Sequence, residues 1–206
     1  MAEIKHQKGR GSFSGSYDVV AMAASAGGLS ALSQVLSSLP ANLPVAILVV
    51  QHLDPRHRSL MAEILSRRTS LQVKQADDGE RLNPKTVYVA PPDRHLLLNP
   101  DGTLSLSQSE LVHFVRPSAD LLFESVAASF RDRAIAVVLT GSGSDGAMGV
   151  RAIKKMGGKV IAQDEQTSAF FGMPRAAIQT GDIDFVLPLG EIAPALIALI
   201  MEGGAR

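Results

Sequence analysis

From residue 17 onward the sequence alternates short apolar runs with longer segments whose apolar residues recur at helical spacing, a rhythm that few folds accept. The runs "YDVVAMA" (17–23), "VAILVVQ" (45–51), "TVYVA" (86–90), "AIAVVLT" (134–140), "KVIAQ" (159–163) and "DFVL" (184–187) predict strands. Helices are predicted between them at 28–38, 58–67, 118–130, 145–156, 174–180 and 190–202. A strand that is apolar on both faces has no face to give to water, and joining parallel strands takes a crossover of helix length. The alternation therefore predicts an α/β chain, a doubly wound three-layer α/β/α domain with a mostly parallel sheet. One stretch departs from it: "HLLLNPDGTLSLSQ" (95–108) places an Asn-Pro-Asp-Gly turn between two alternating segments, which predicts a β-hairpin insertion.

With 206 residues, 46% of them hydrophobic, the chain can bury a substantial core, and the pattern places one domain over 17–206. The opening "MAEIKHQKGRGSFSGS" (1–16) reads as a disordered tail or linker remnant and lacks the apolar stretch of a signal peptide. No apolar run approaches the roughly 20 residues of a membrane helix, so no membrane insertion is expected. Lys plus Arg and Asp plus Glu stand at 20 each, which gives no overall field to draw in nucleic acid. Cysteine is absent, which excludes disulfides and thiol nucleophiles and agrees with a cytoplasmic protein.

Ligands of open parallel sheets bind outside the carboxyl ends of the strands, so the residues just past each strand matter most. Ser25 follows the first strand, His52 ends the second in "VVQHLD", and Asp145 lies beyond the fourth in "VVLTGSGSDGAMG". Together these are the nucleophile, base and base-orienting acid of acyl transfer. Each also has a bland reading: Ser25 and Asp145 as N-caps of the helices that follow them, His52 as a rim residue. The small residues Ala26, Gly27 and Gly28 suit a sharp turn whose N–H groups approach an oxyanion.

Other readings compete. "GSGSDG" (141–146) satisfies the G-x-G-x-x-G pattern of a nucleotide-binding module, but Asp145 would then lie inside a phosphate cradle. A catalytically silent partner-binding domain is a second alternative. His52 and His57 lack the spacing of a zinc site, and no metal is expected. His95 and His113 read as loop hydrogen-bonders ahead of site-rim residues. Arg56, Arg58, Arg67, Arg68 and Lys74 face the single acid Glu63, which makes residues 56–74 either a solvated face or a docking surface for an acidic partner.

The motifs "ASAGG", "QHLDP", "VYVAPPDRH", "RPSADLLFESVA", "LTGSGSDGAMG" and "GMPRAA" run in an order that resembles the catalytic domain of bacterial chemotaxis protein-glutamate methylesterases, the CheB family. The resemblance spans about residues 17–200. It implies Ser25 as nucleophile, His52 as base and Asp145 as its partner, with backbone near Ala26, Gly27 and Ser142 holding the oxyanion. It implies demethylation of glutamate γ-methyl esters on chemoreceptor-like proteins, in some members also deamidation of glutamine, and no cofactor. Arg56 and Arg58 would then dock the receptor. Ser142 stands where the family often has methionine, and "DPRHRS" departs from the family's apolar continuation after the histidine. Members usually carry an N-terminal receiver domain, which 16 residues cannot hold. A receiver domain or methyltransferase in trans, or as a fused neighbour, is the implied partner.

Overall fold

The structure, a computed structural model, describes residues 16–52 and 59–202. Seven strands form one sheet: β1 (Val19–Ala24), β2 (Ala46–Gln51), β3 (Gln72–Gln75), β4 (Thr86–Val89), β7 (Ala134–Val138), β8 (Lys159–Gln163) and β9 (Phe185–Leu187). Their order is β3-β4-β2-β1-β7-β8-β9, and every neighbouring pair is parallel. The antiparallel hairpin β5 (His95–Leu98) and β6 (Leu104–Ser107) lies apart from the sheet, as its turn sequence predicts.

Alternation along β1 shows how the layers form. Val19, Ala21 and Ala23 face one core, which α3 (Ala119–Phe130), α4 (Ala147–Lys155), α5 (Gly172–Gln179) and the hairpin cover. Val20, Met22 and Ala24 face the other, covered by α1 (Gly28–Ser37), α2 (Met61–Ser66) and α6 (Leu189–Ile197). Both faces of the central strands are thereby dry, which is why these strands read as unbroken apolar runs. The hairpin is tied to α3 by Leu98 N–H donating to Ser125 Oγ (3.0 Å) and Ser129 Oγ donating to Leu98 O (2.8 Å).

Strand β3 is the element that apolar-run reasoning misses. Its "QVKQ" is an edge strand with one paired side and solvent on part of its surface, and only the alternation of Leu71 and Val73 marks it. The helix expected at 58–67 is shorter, Met61–Ser66: Ser59 and Leu60 are not helical, and residue 58 lies outside the described residues. The helix expected at 190–202 stays α-helical only to Ile197, then widens into a π-type turn over Ala198–Glu202. Among the described residues, no helix is long and apolar enough to cross a membrane.

The strand order determines where a site can form. β1 and β7 are neighbours, yet β1 leads into α1 on one face while β7 leads into α4 on the other. The loops beyond these two strands therefore diverge and leave a crevice, the position where open α/β sheets bind ligands.

Candidate active site

Ser25 is the first residue past β1, at the mouth of this crevice. Its N–H donates to Thr140 O beyond β7 (3.0 Å), and its carbonyl closes a turn by accepting from Gly28 N–H (2.8 Å). The turn needs Gly27 at φ 77°, a left-handed conformation that favours glycine. Gly27 is also the N-cap of α1, with no side-chain cap, so Ser25 is not the cap of its own helix. Its half-buried hydroxyl makes no hydrogen bond among the described residues. The N–H groups of Ala26, Gly27 and Ser142 are likewise unpaired among the described residues.

His52 follows β2, and its N–H donates to Ala24 O (3.1 Å). Because Ala24 and Gln51 are register partners, Ser25 and His52 emerge side by side. Gln51 holds both: its Nε2 donates to Ser25 O (2.7 Å) and to His52 O (3.1 Å). Gly28 makes room for this amide, since a Cβ there would lie 2.0 Å from Gln51 Oε1 and 2.7 Å from Ala24 Cβ. Gly28→Ala is expected to cost about 1–3 kcal/mol through this overlap and to depress turnover by displacing Gln51. Thermal melts alongside kcat would check both.

The His52 ring meets Asp145 across the crevice, with Nε2 to Oδ2 at 2.8 Å and side chains only 13% and 4% exposed. Asp145 does not cap α4, whose N-cap is Gly146 at φ 101° with no side-chain bond. It reaches instead to the start of α3, accepting from Ser118 Oγ (2.8 Å), Ala119 N–H (2.6 Å) and Asp120 N–H (3.1 Å). Burial pushes its carboxyl pKa up, but hydrogen bonds from His52, the two backbone amides and Ser118 outweigh burial and hold it below the usual value. With Nε2 donating to a carboxylate, His52 keeps Nδ1 as the nitrogen that can accept a proton.

The cap readings of Ser25 and Asp145 are thus corrected, and so is the nucleotide reading of 141–146. The N–H groups of Gly146 and Gly149, which a phosphate would need, are both taken by Asp120 Oδ1 (3.0 and 2.7 Å). Two buried carboxylates already occupy the loop, and a phosphate would meet their repulsion.

His95 is a hydrogen-bonder with a structural task. Fully buried, it accepts from Ser118 N–H at Nδ1 (3.1 Å), so Nε2–H donates to Glu110 O (3.0 Å), and Ser118 is the residue that donates to Asp145. His113 is half-exposed, its Nε2 3.2 Å from Asp120 Oδ2 without the alignment of a hydrogen bond. Arg56, Arg58 and His57 lie outside the described residues. Sequence reasoning missed Gln51, Ser118 and Asp120 as site residues. All three lie inside quoted motifs, but nothing local to Asp120 signals that its partners are 26 and 29 residues away.

Comparison with known proteins agrees with this architecture. Residues 20–196 match the family model of the CheB methylesterase. The Thermotoga maritima CheB methylesterase catalytic domain superposes with a TM-score of 0.85 at 39% identity, covering 89% of this chain and 98% of that one. A Moorella thermoacetica protein-glutamate methylesterase/protein-glutamine glutaminase is 44% identical over 191 residues, 91% of this chain and 45% of the relative. The protein-glutamate methylesterase FrzG of Myxococcus xanthus is 43% identical over 181 residues, 88% of this chain and 54% of that protein. The chain thus spans about half the length of these two relatives. With its fold, its motifs and the match over most of its length in accord, the chain belongs to the CheB methylesterase family.

Proposed function

We propose that this chain is a serine esterase that demethylates glutamate γ-methyl esters on chemoreceptor-like proteins and deamidates glutamine by the same route. The observation that carries the reading is the buried His52–Asp145 pair (2.8 Å) beside a Ser25 hydroxyl that bonds to nothing among the described residues, at the crevice between β1 and β7. Ser25 Oγ attacks the γ-carbonyl while His52 Nδ1 takes its proton, and Asp145 balances the imidazolium. The oxyanion is held by the N–H groups at Ala26, Gly27 and Ser142. Collapse of the tetrahedral intermediate expels methanol, or ammonia from glutamine, with the proton returned by His52. Water activated by the same imidazole then attacks the acyl-enzyme, releasing glutamate and restoring Ser25.

A protein-sized substrate suits the rim. Leu29, Met148 and Phe170 stand exposed in or just before the first turns of α1, α4 and α5, at the sheet edge where the crevice opens. Phe114, 95% exposed, tips the turn that carries His113. Phe114→Ala is expected to raise KM for a methylated protein about tenfold, a contact worth ~1.4 kcal/mol, and to leave a small methyl ester unaffected. Methanol release from a glutamyl-methylated receptor fragment tests the function itself. Release that needs Ser25 supports the reading, and no release by the folded chain overturns it.

A further inference from the structure

Two acidic residues are exchanged between two helices next to the site. Asp145, from the loop before α4, caps the start of α3, while Asp120, in the first turn of α3, caps the start of α4 through Gly146 and Gly149. Each carboxylate therefore sits on the other helix's positive end, where orphan N–H groups favour negative charge. The helices approach closely, since a Cβ on Gly149 would fall 2.5 Å from Phe123 Cβ and 3.0 Å from Asp120 O. Asp145 cannot shift without loosening α3, and α3 cannot shift without loosening Gly146, the residue next to Asp145.

Asp120 is only 3% exposed, and among the described residues its Oδ2 has no hydrogen-bond partner; the imidazole of His113 lies beside it, with Nε2 at 3.2 Å. His113 and Phe114 hold φ of 49° and 64°, sparsely populated values for side chains of this size, so the turn holds the imidazole there at some backbone cost. Among the described residues the titratable groups around Asp120 are Asp145 across the helix starts, His113 on the turn, and Glu124 one turn along α3. Burial raises the pKa of the Asp120 carboxyl, helped by the charge of Asp145 and opposed by the Gly149 and Gly146 amides and by His113.

We infer that Asp120 is a positioning residue for the esterase reaction: its carboxylate clasps the Asp145 loop in place and, under control of His113, adds negative field behind the His52–Asp145 pair. The inference rests on the catalytic reading of Ser25, His52 and Asp145. Asp120 does not touch the reacting atoms, and it acts through Asp145. A second negative charge behind the pair favours the imidazolium formed during attack, and protonated His113 opposes that charge.

Three variants test it in the full chain with a small glutamyl methyl ester. Asp120→Asn keeps an oxygen for Gly146 and Gly149 but removes the charge, so the acid limb of the kcat/KM–pH profile should move down by roughly half a unit to one unit. His113→Asn, a surface change, should move the limb up, because Asp120 is then unopposed. Asp120→Ala also opens the clasp and should lower kcat roughly 10–100-fold with KM little changed. If Asp120→Ala does not fold, the other two still decide. Acid limbs in Asp120→Asn and His113→Asn that coincide with wild type would overturn the inference. Absence of Ser25-dependent turnover in wild type would instead sink the catalytic reading on which it rests.

Discussion

Ser25→Ala is expected to reduce ester hydrolysis to background, a loss of at least about 10⁴-fold, while the protein melts within roughly 0.5 kcal/mol of wild type. The separation of the two effects is the point. A serine capping α1 would lose about 1 kcal/mol on truncation, but Gly27 holds the cap position and the Ser25 hydroxyl bonds to nothing among the described residues. The turn that presents it is held by backbone, through Ser25 N–H to Thr140 O and Gly28 N–H to Ser25 O, and alanine keeps both. Methanol release from a methylated substrate and a thermal melt on the same preparation check the prediction. Full turnover by the folded variant would remove Ser25 from the mechanism.

Asp145→Asn is expected to damage both activity and stability. Among the described residues all four hydrogen-bond partners of the carboxylate donate to it: His52 Nε2, Ser118 Oγ, and the N–H groups of Ala119 and Asp120. An asparagine NH₂ must face at least one of those donors, leaving a buried group unsatisfied at about 2 kcal/mol, or roughly 4–8 °C in Tm for a domain of this size. As a cap of its own helix, Asp145 would be replaceable by asparagine with little loss of stability; its bonds to α3 remove that equivalence. Turnover should fall about 10⁴-fold, the cost of the same exchange in serine proteases, because the amide cannot hold the imidazole in the productive tautomer. The sign with pH follows from the lowered pKa of Asp145. Its stabilisation is present above the ordinary aspartate range and lost as pH falls through the folded-state pKa. The Tm gap between wild type and variant should therefore narrow below about pH 4. A gap independent of pH, or unchanged turnover, would contradict the assignment.

The three residues of the candidate site stand out in the sequence because each lies where a local pattern ends. Ser25, His52 and Asp145 each follow an apolar run, and a parallel sheet brings such ends to one edge. The supports were not legible in the same way. Gln51 reads as the last residue of a strand, yet its amide ties Ser25 to His52. Asp120 reads as an ordinary acid in a helical first turn, stabilising its own helix, yet it caps another. The cap readings of Ser25 and Asp145 failed because helix-start statistics assume that a cap serves the helix after it in sequence.

The sequence by itself determined the alternation of buried strands and crossover helices, the hairpin at the Asn-Pro-Asp-Gly turn, and the residues that end each strand. These follow from periodicity and turn chemistry, which act over a few residues. Only the tertiary structure decided that β1 lies between β2 and β7, that QVKQ closes one edge of the sheet, and that the starts of α3 and α4 exchange carboxylates. Strand order and cross-helix caps depend on which distant surfaces pack together. The energy that selects them resides in contacts between segments far apart in the chain, which no local window of sequence contains.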